Sequence, residues 1–135
     1  MLASGLLDIV ADVEDLARFL TSSSQFNSQM AKPSVFLPTP SDRETSVFRH
    51  GSEPRDVLWT IGDEHAGRNR TLHGAAIIKT SDVRSALLQV IASEPPPRHA
   101  SITGWPWLDN DPELQKAQQK ERAVLIASKA ILVRR

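Results

Sequence analysis

The sequence contains no cysteine and no tyrosine. Without cysteine there can be no disulfide framework, no thiolate metal site and no cysteine nucleophile. Glycine is sparse, and its six residues stand singly. No GxGxxG pattern, P-loop or serine nucleophile elbow can be written, so no glycine loop cradles nucleotide phosphates. An excess of one charge is also missing, because sixteen Lys and Arg balance sixteen Asp and Glu. Zero net charge argues against a nucleic-acid coat or a membrane-surface binder, and it predicts some tendency to self-associate near neutral pH. No apolar run approaches the roughly 18 residues a bilayer-spanning helix needs, so no membrane is expected as a partner. The first residues carry Asp8, Asp12, Glu14 and Asp15 where a targeting peptide would be basic. Neither a signal nor a transit peptide is expected, and the expected location is cytoplasmic.

What is present suits one folded domain. Hydrophobic residues make up 40% of the 135 and charged residues 24%, enough to bury a core at this length. Leu6, Val10, Val13, Ala17 and Leu20 recur at steps of four and three. Ile9 and Leu16 widen that stripe, and the spacing predicts an amphipathic helix over residues 1–22. Residues 23–34, rich in Ser, Gln and Asn, read as a flexible linker. A compact domain is expected over residues 35–135.

Within that domain Glu44–Arg49 has strand composition. Ser52 and Pro54 start a helix that Gly67 stops. Leu72–Lys79 is a second strand, and a helical turn at Ser81 and Asp82 precedes an ambiguous Val83–Ala92 stretch, read as a turn followed by a strand. After Pro95, Pro96 and Pro97, the segment His99–Thr103 alternates as a half-buried strand does. Asp111 caps a last helix whose first residue is Pro112 and which runs to about Ala130. Ile131–Val133 either prolongs it or forms an edge strand. The order predicts an α+β fold: a small, mostly antiparallel sheet with two or three helices, plus the N-terminal helix.

Two Arg–His pairs, Arg49–His50 and Arg98–His99, stand at predicted strand ends. If those ends met, two imidazoles and two guanidiniums could cleave a phosphodiester by acid–base chemistry. Against this, histidines at strand ends are usually solvated or simply hydrogen-bonded. The histidines at 50, 65, 73 and 99 lack the helical i, i+4 spacing of zinc hydrolases, so no metal and no other cofactor is expected. His65, beside Asp63 and Glu64, is expected to face solvent. Trp105 and Trp107 flank Pro106 in a turn that either lids the core or offers aromatic anchors to a partner.

Asp42–Arg49, containing Glu-Thr-Ser-Val-Phe-Arg, and Pro95–Pro106, containing Pro-Pro-Pro-Arg-His-Ala and Gly-Trp-Pro, resemble a family of small uncharacterised bacterial proteins. The resemblance covers roughly Pro33–Val133. It implies a bacterial or phage origin and one compact domain holding both motifs, and it implies no activity. Leu72-His73-Gly74 with Arg98-His99-Ala100 also resembles NAD-handling ADP-ribosyl transferases and RNA phosphotransferases. The absence of tyrosine and the short sequence after His99 set that second likeness aside.

The sequence therefore favours a non-enzymatic interaction protein, an accessory subunit or inhibitor acting on a larger bacterial or phage protein. Leu6, Val10, Val13 and Leu20 of the expected helix, with Trp105 and Trp107, are the candidate contacts. The same helix could instead pair two copies into a homodimer. The alternative is a small RNase-like or phosphotransfer enzyme using His50, His99, Arg49 and Arg98. Nucleic-acid binding through Arg68 and Arg70 ranks third.

Overall fold

The computed structural model describes residues 2–51, 53–67 and 70–135. Six strands form one sheet: β1 (Asp15–Leu20), β2 (Thr45–Arg49), β3 (Gly74–Lys79), β4 (Gln89–Ala92), β5 (His99–Thr103) and β6 (Ile131–Arg134). Their order is β4-β5-β2-β1-β3-β6, with every pairing antiparallel. Three helices accompany the sheet: α1 (Arg55–Ala66), α2 (Thr80–Ser85) and α3 (Pro112–Lys129). The fold is α+β, and the ambiguous Val83–Ala92 stretch resolves into the end of α2, a turn and β4. Ile131 onward is an edge strand. Ser52, the expected cap of α1, lies outside the described residues.

Strand alternation sorts the side chains onto two faces. Leu16, Leu20, Val47, Ala76, Ile78, Val90, Ala100 and Ile102 share one face, and all are buried. They join Val35 and Phe36 of a short 3-10 turn, Val83 of α2, and Ala123, Ile126 and Ala127 of α3 in the main core. On the opposite face, Ala17 and Ala75 pack with Leu58 of α1 in a smaller cluster that Phe19, Trp59 and Ile77 border. Gly74 permits the β3–β6 pairing, because a Cβ there would stand 2.5 Å from the Val133 carbonyl oxygen. Gly67 ends α1 at φ +86°, a backbone conformation that costs glycine little.

The expected N-terminal helix is not formed. Asp15–Leu20 is instead an interior strand, paired with β2 on one side and β3 on the other. A strand covered on both faces needs apolar residues in succession rather than in alternation, and such a run imitates a helical stripe. Residues before β1 are irregular but fastened to the domain. Arg49 donates to the Leu7 carbonyl at 2.7 Å and Arg84 to the Val10 carbonyl at 2.9 Å.

The expected linker is likewise structured. Ser22 and Gln25 form a reciprocal capping box around the 3-10 turn Ser23–Gln25. The Asn27 side chain accepts from the backbone N–H groups of Gln29 and Met30. Ala31 is buried in the main core. Local side-chain hydrogen bonds fix this polar stretch, which composition alone reads as flexible. Residues before 35 are thus part of the same core as those after it.

Candidate functional site

Strands β1 and β2 pair at only two positions, Leu16 with Arg49 and Ala17 with Phe48. Beyond them the strands part, and the Arg18 guanidinium fills the gap. Its Nε donates to the Val35 carbonyl at 2.8 Å and its Nη1 to the Ser46 carbonyl at 2.9 Å. The Arg18 N–H groups thereby satisfy a carbonyl of β2 and one of the 3-10 turn Pro33–Phe36. Burial pushes the Arg18 pKa below the usual arginine value. Among the described residues, no carboxylate lies within ion-pair distance of it.

Above this gap a cleft of about 380 Å³ opens on the face that α1 only partly covers. The register explains its floor. Ala17 pairs with Phe48, Phe48 with His99, and Ser46 with Ser101, so these side chains share one face. Phe48 and His99 line the cleft with Ser46, and His65 reaches it from the last turn of α1. Thr21 and Gln25 form one wall, while Arg70 and Pro96 contribute from loops. The lining holds two arginines and two histidines but no carboxylate.

Both imidazoles pack directly on Phe48. His65 stacks on it with centroids 4.1 Å apart, and His99 meets it edge-on at 5.3 Å. Burial holds the His65 pKa below the ordinary 6.5; Glu64 opposes this, and nearby His99 adds to it. The His99 ring is oriented from behind. Its Nδ1 lies 2.6 Å from Ser93 Oγ and 3.2 Å from the Ser93 carbonyl oxygen. Ser93 Oγ is in turn 2.9 Å from the Oγ of buried Ser101.

The other sequence candidates occupy different positions. Arg49 projects to the main-core face, only 2% exposed, and is held by Glu14 through contacts of 2.8 and 2.9 Å. Arg98 donates to the Arg49 carbonyl and pairs with Glu53. His50 has both ring nitrogens buried with no protein partner among the described residues, and it does not line the cleft. The four residues of the expected acid–base constellation are therefore not gathered at one spot. His99 alone of them enters the cleft. His65, expected in solvent, stands there instead, because α1 turns its last residues over Phe48.

The expected contact residues are also dispersed. Leu20 and Val10 are in the main core, Leu6 is half-buried and Val13 is exposed. Trp105 is buried in that core as well, so it is no surface anchor. Trp107 is half-buried, with the Arg43 guanidinium 4.6 Å above its ring. Arg68 lies outside the described residues.

Sequence reasoning missed Arg18, Phe48 and Ser93 as site residues. A usable signal was present for Phe48: pairing the two motif strands antiparallel sets it beside His99. None existed for Arg18, whose placement depends on two strands parting. Among the described residues, no helix is long and apolar enough to cross a membrane, and no three His, Asp or Glu side chains converge as a metal ion would require. Comparison with known proteins assigns no relative: no family model matches the chain, and neither a curated protein nor a solved structure matches it.

Proposed function

We propose that the cleft binds a phosphate ester carrying a flat aromatic group, as a nucleotide does. The observation that supports this reading most directly is Arg18. Its guanidinium is half-buried and, among the described residues, is met by carbonyl oxygens and by no carboxylate. A cation placed in a cleft without a carboxylate is left to pair with an anion from outside. An entering phosphate supplies that anion and can accept from Arg18, Arg70 and the two imidazoles at once. Phe19, with the part of Phe48 that His65 leaves uncovered, offers apolar surface beside these cations, which suits a flat base. Both motifs of the family-like resemblance contribute to the lining, Ser46 and Phe48 from one and Pro96 and His99 from the other.

Calorimetric titration tests the reading with a nucleoside monophosphate, its parent nucleoside and inorganic phosphate as probes. The monophosphate should bind best, and its affinity should fall as salt rises. Arg70→Gln, a surface change, should weaken it about tenfold, the effect of losing one charged hydrogen bond of ~1.5 kcal/mol. Equal affinity for nucleoside and nucleotide would remove the reading.

Association with a protein, either a larger partner or another copy of this chain, is a second reading. It is supported by Leu7, Ile9 and Val13, which are 68%, 78% and 79% exposed within one short segment. Apolar side chains grouped in this way mark contact surfaces. Replacing all three by serine should abolish any dimer seen in sedimentation equilibrium, or any complex recovered from the native cell. A wild-type chain that is monomeric and partnerless would end this reading.

A further inference from the structure

We propose that the cleft cleaves RNA by internal transesterification, with His65 as general base and His99 as general acid. The inference rests on the phosphate-binding reading above and adds a reaction to it. Three observations support it. The two imidazoles reach one cleft from different elements, α1 and β5, and both pack on Phe48. A phosphodiester entering the cleft meets both imidazoles, since both line it. Such a pair can remove a proton at one oxygen while supplying one at another, which a single histidine cannot do within one step.

The two rings are held in different ways. Burial favours neutral His65, and a neutral imidazole can accept a proton. His99 is held through Nδ1 by the carbonyl and hydroxyl of Ser93. A carbonyl oxygen only accepts, so this contact favours a proton on Nδ1 and fixes the orientation of the ring. Nε2 has no protein partner among the described residues, which leaves that nitrogen to meet a substrate. Ser93 is thus a positioning residue for His99, and Ser101 steadies Ser93.

The step balances with no other reactant. His65 takes the 2′-hydroxyl proton as that oxygen bonds to the adjacent phosphorus. The phosphorus–O5′ bond breaks, and the departing O5′ takes the proton from His99 Nε2. The charge on the phosphoryl oxygens meets Arg18 and Arg70, the cations of the same cleft. The products are a 2′,3′-cyclic phosphate and a 5′-hydroxyl. DNA lacks the attacking hydroxyl, so it binds without being cut.

The test incubates the purified full chain with an oligoribonucleotide and with its all-deoxy counterpart, following binding by calorimetry and products by mass spectrometry. Cyclic-phosphate ends from the RNA alone are expected. His65→Gln and His99→Gln should each lower the rate at least a hundredfold, in the range typical of acid–base groups, a far larger loss than the about tenfold each costs in affinity for the deoxy strand. Ser93→Ala, a milder change, should lower kcat about tenfold with KM unchanged. A purely structural serine would not produce that split. RNA that binds and stays intact overturns the cleavage proposal and leaves phosphate binding standing. If neither strand binds, both fall. Cutting at the wild-type rate by both Gln variants would show that the activity does not belong to this cleft.

Discussion

The ring of His65 lies over that of Phe48 with 18° between their planes and 4.1 Å between their centroids. This contact ties the end of α1 to β2, across the region where β1 and β2 have separated. One phenyl ring thereby joins two parts of the fold and forms the floor of the cleft. Phe19 approaches the same ring at 5.7 Å, so the floor continues onto β1.

Phe48→Leu should therefore affect both stability and binding. Leucine keeps most of the apolar volume but loses the stacking term, worth ~1 kcal/mol for an aromatic pair. The melting temperature should fall by about 4 °C, and nucleotide affinity should drop about tenfold while inorganic phosphate binding is little changed. Circular dichroism melts and calorimetry measure the two effects. Unchanged nucleotide affinity would show that Phe48 supports the cleft without touching a ligand.

Acid should weaken the fold through Glu14. Burial raises the pKa of this carboxylate, but the Arg49 hydrogen bond, the Ala11 N–H and the charges of Arg49 and Arg84 outweigh it. The result lies below the ordinary 4.5. A carboxylate whose pKa is depressed on folding stabilises the native state above its unfolded pKa, and that stability is lost as pH falls through the folded value. Wild-type stability should thus decline below about pH 4.5. Glu14→Gln should shrink that dependence and be much less stable at pH 7. It leaves Arg49 buried without its anion, a change of ~3 kcal/mol when a buried pair is broken. Urea denaturation at pH 3 to 7 reads both, and a Glu14→Gln chain as stable as wild type at pH 7 would contradict this account.

The sequence allowed the strands after residue 44 and the last helix to be read well, because their signals are local. Pro112 and Asp111 begin α3 where capping chemistry requires, and His99–Thr103 alternates because one face of β5 is buried. The first thirty-odd residues misled for the opposite reason. Leu16, Ala17, Phe19 and Leu20 are apolar in succession because helices lie on both sides of β1, and only tertiary structure separates that pattern from an amphipathic helix. The lining of the candidate cleft was legible in part. His99 stood out in the sequence and lines the cleft, while the second imidazole there is His65 of α1 and not His50. His50 falls just past the end of β2, outside the cleft, while α1 delivers His65 to Phe48. Arg18 could not be foreseen, since nothing local records that a strand pair will open beside it.

Leu87 offers a test that sequence intuition would answer wrongly. It sits just past α2 at φ +63°, where a helix normally ends on glycine or asparagine. A leucine Cβ in that conformation costs roughly 1–2 kcal/mol, and the side chain recovers little by burial, being 76% exposed. The backbone is held there nonetheless. The Leu87 N–H donates to the Arg84 carbonyl at 3.0 Å, and its own carbonyl accepts from Arg122 of α3 at 3.2 Å. Neither bond uses the side chain, and the next residue, Leu88, is fully packed in the core. Exchanging this apolar residue for a polar one should therefore stabilise the monomer. Leu87→Asn should raise the melting temperature by about 2–4 °C, as ~1 kcal/mol of relieved strain requires, with the nucleotide affinity of the distant cleft unchanged. A lowered melting temperature would mean that the leucine is covered in solution, and comparing melts at two protein concentrations would then reveal whether a second copy covers it.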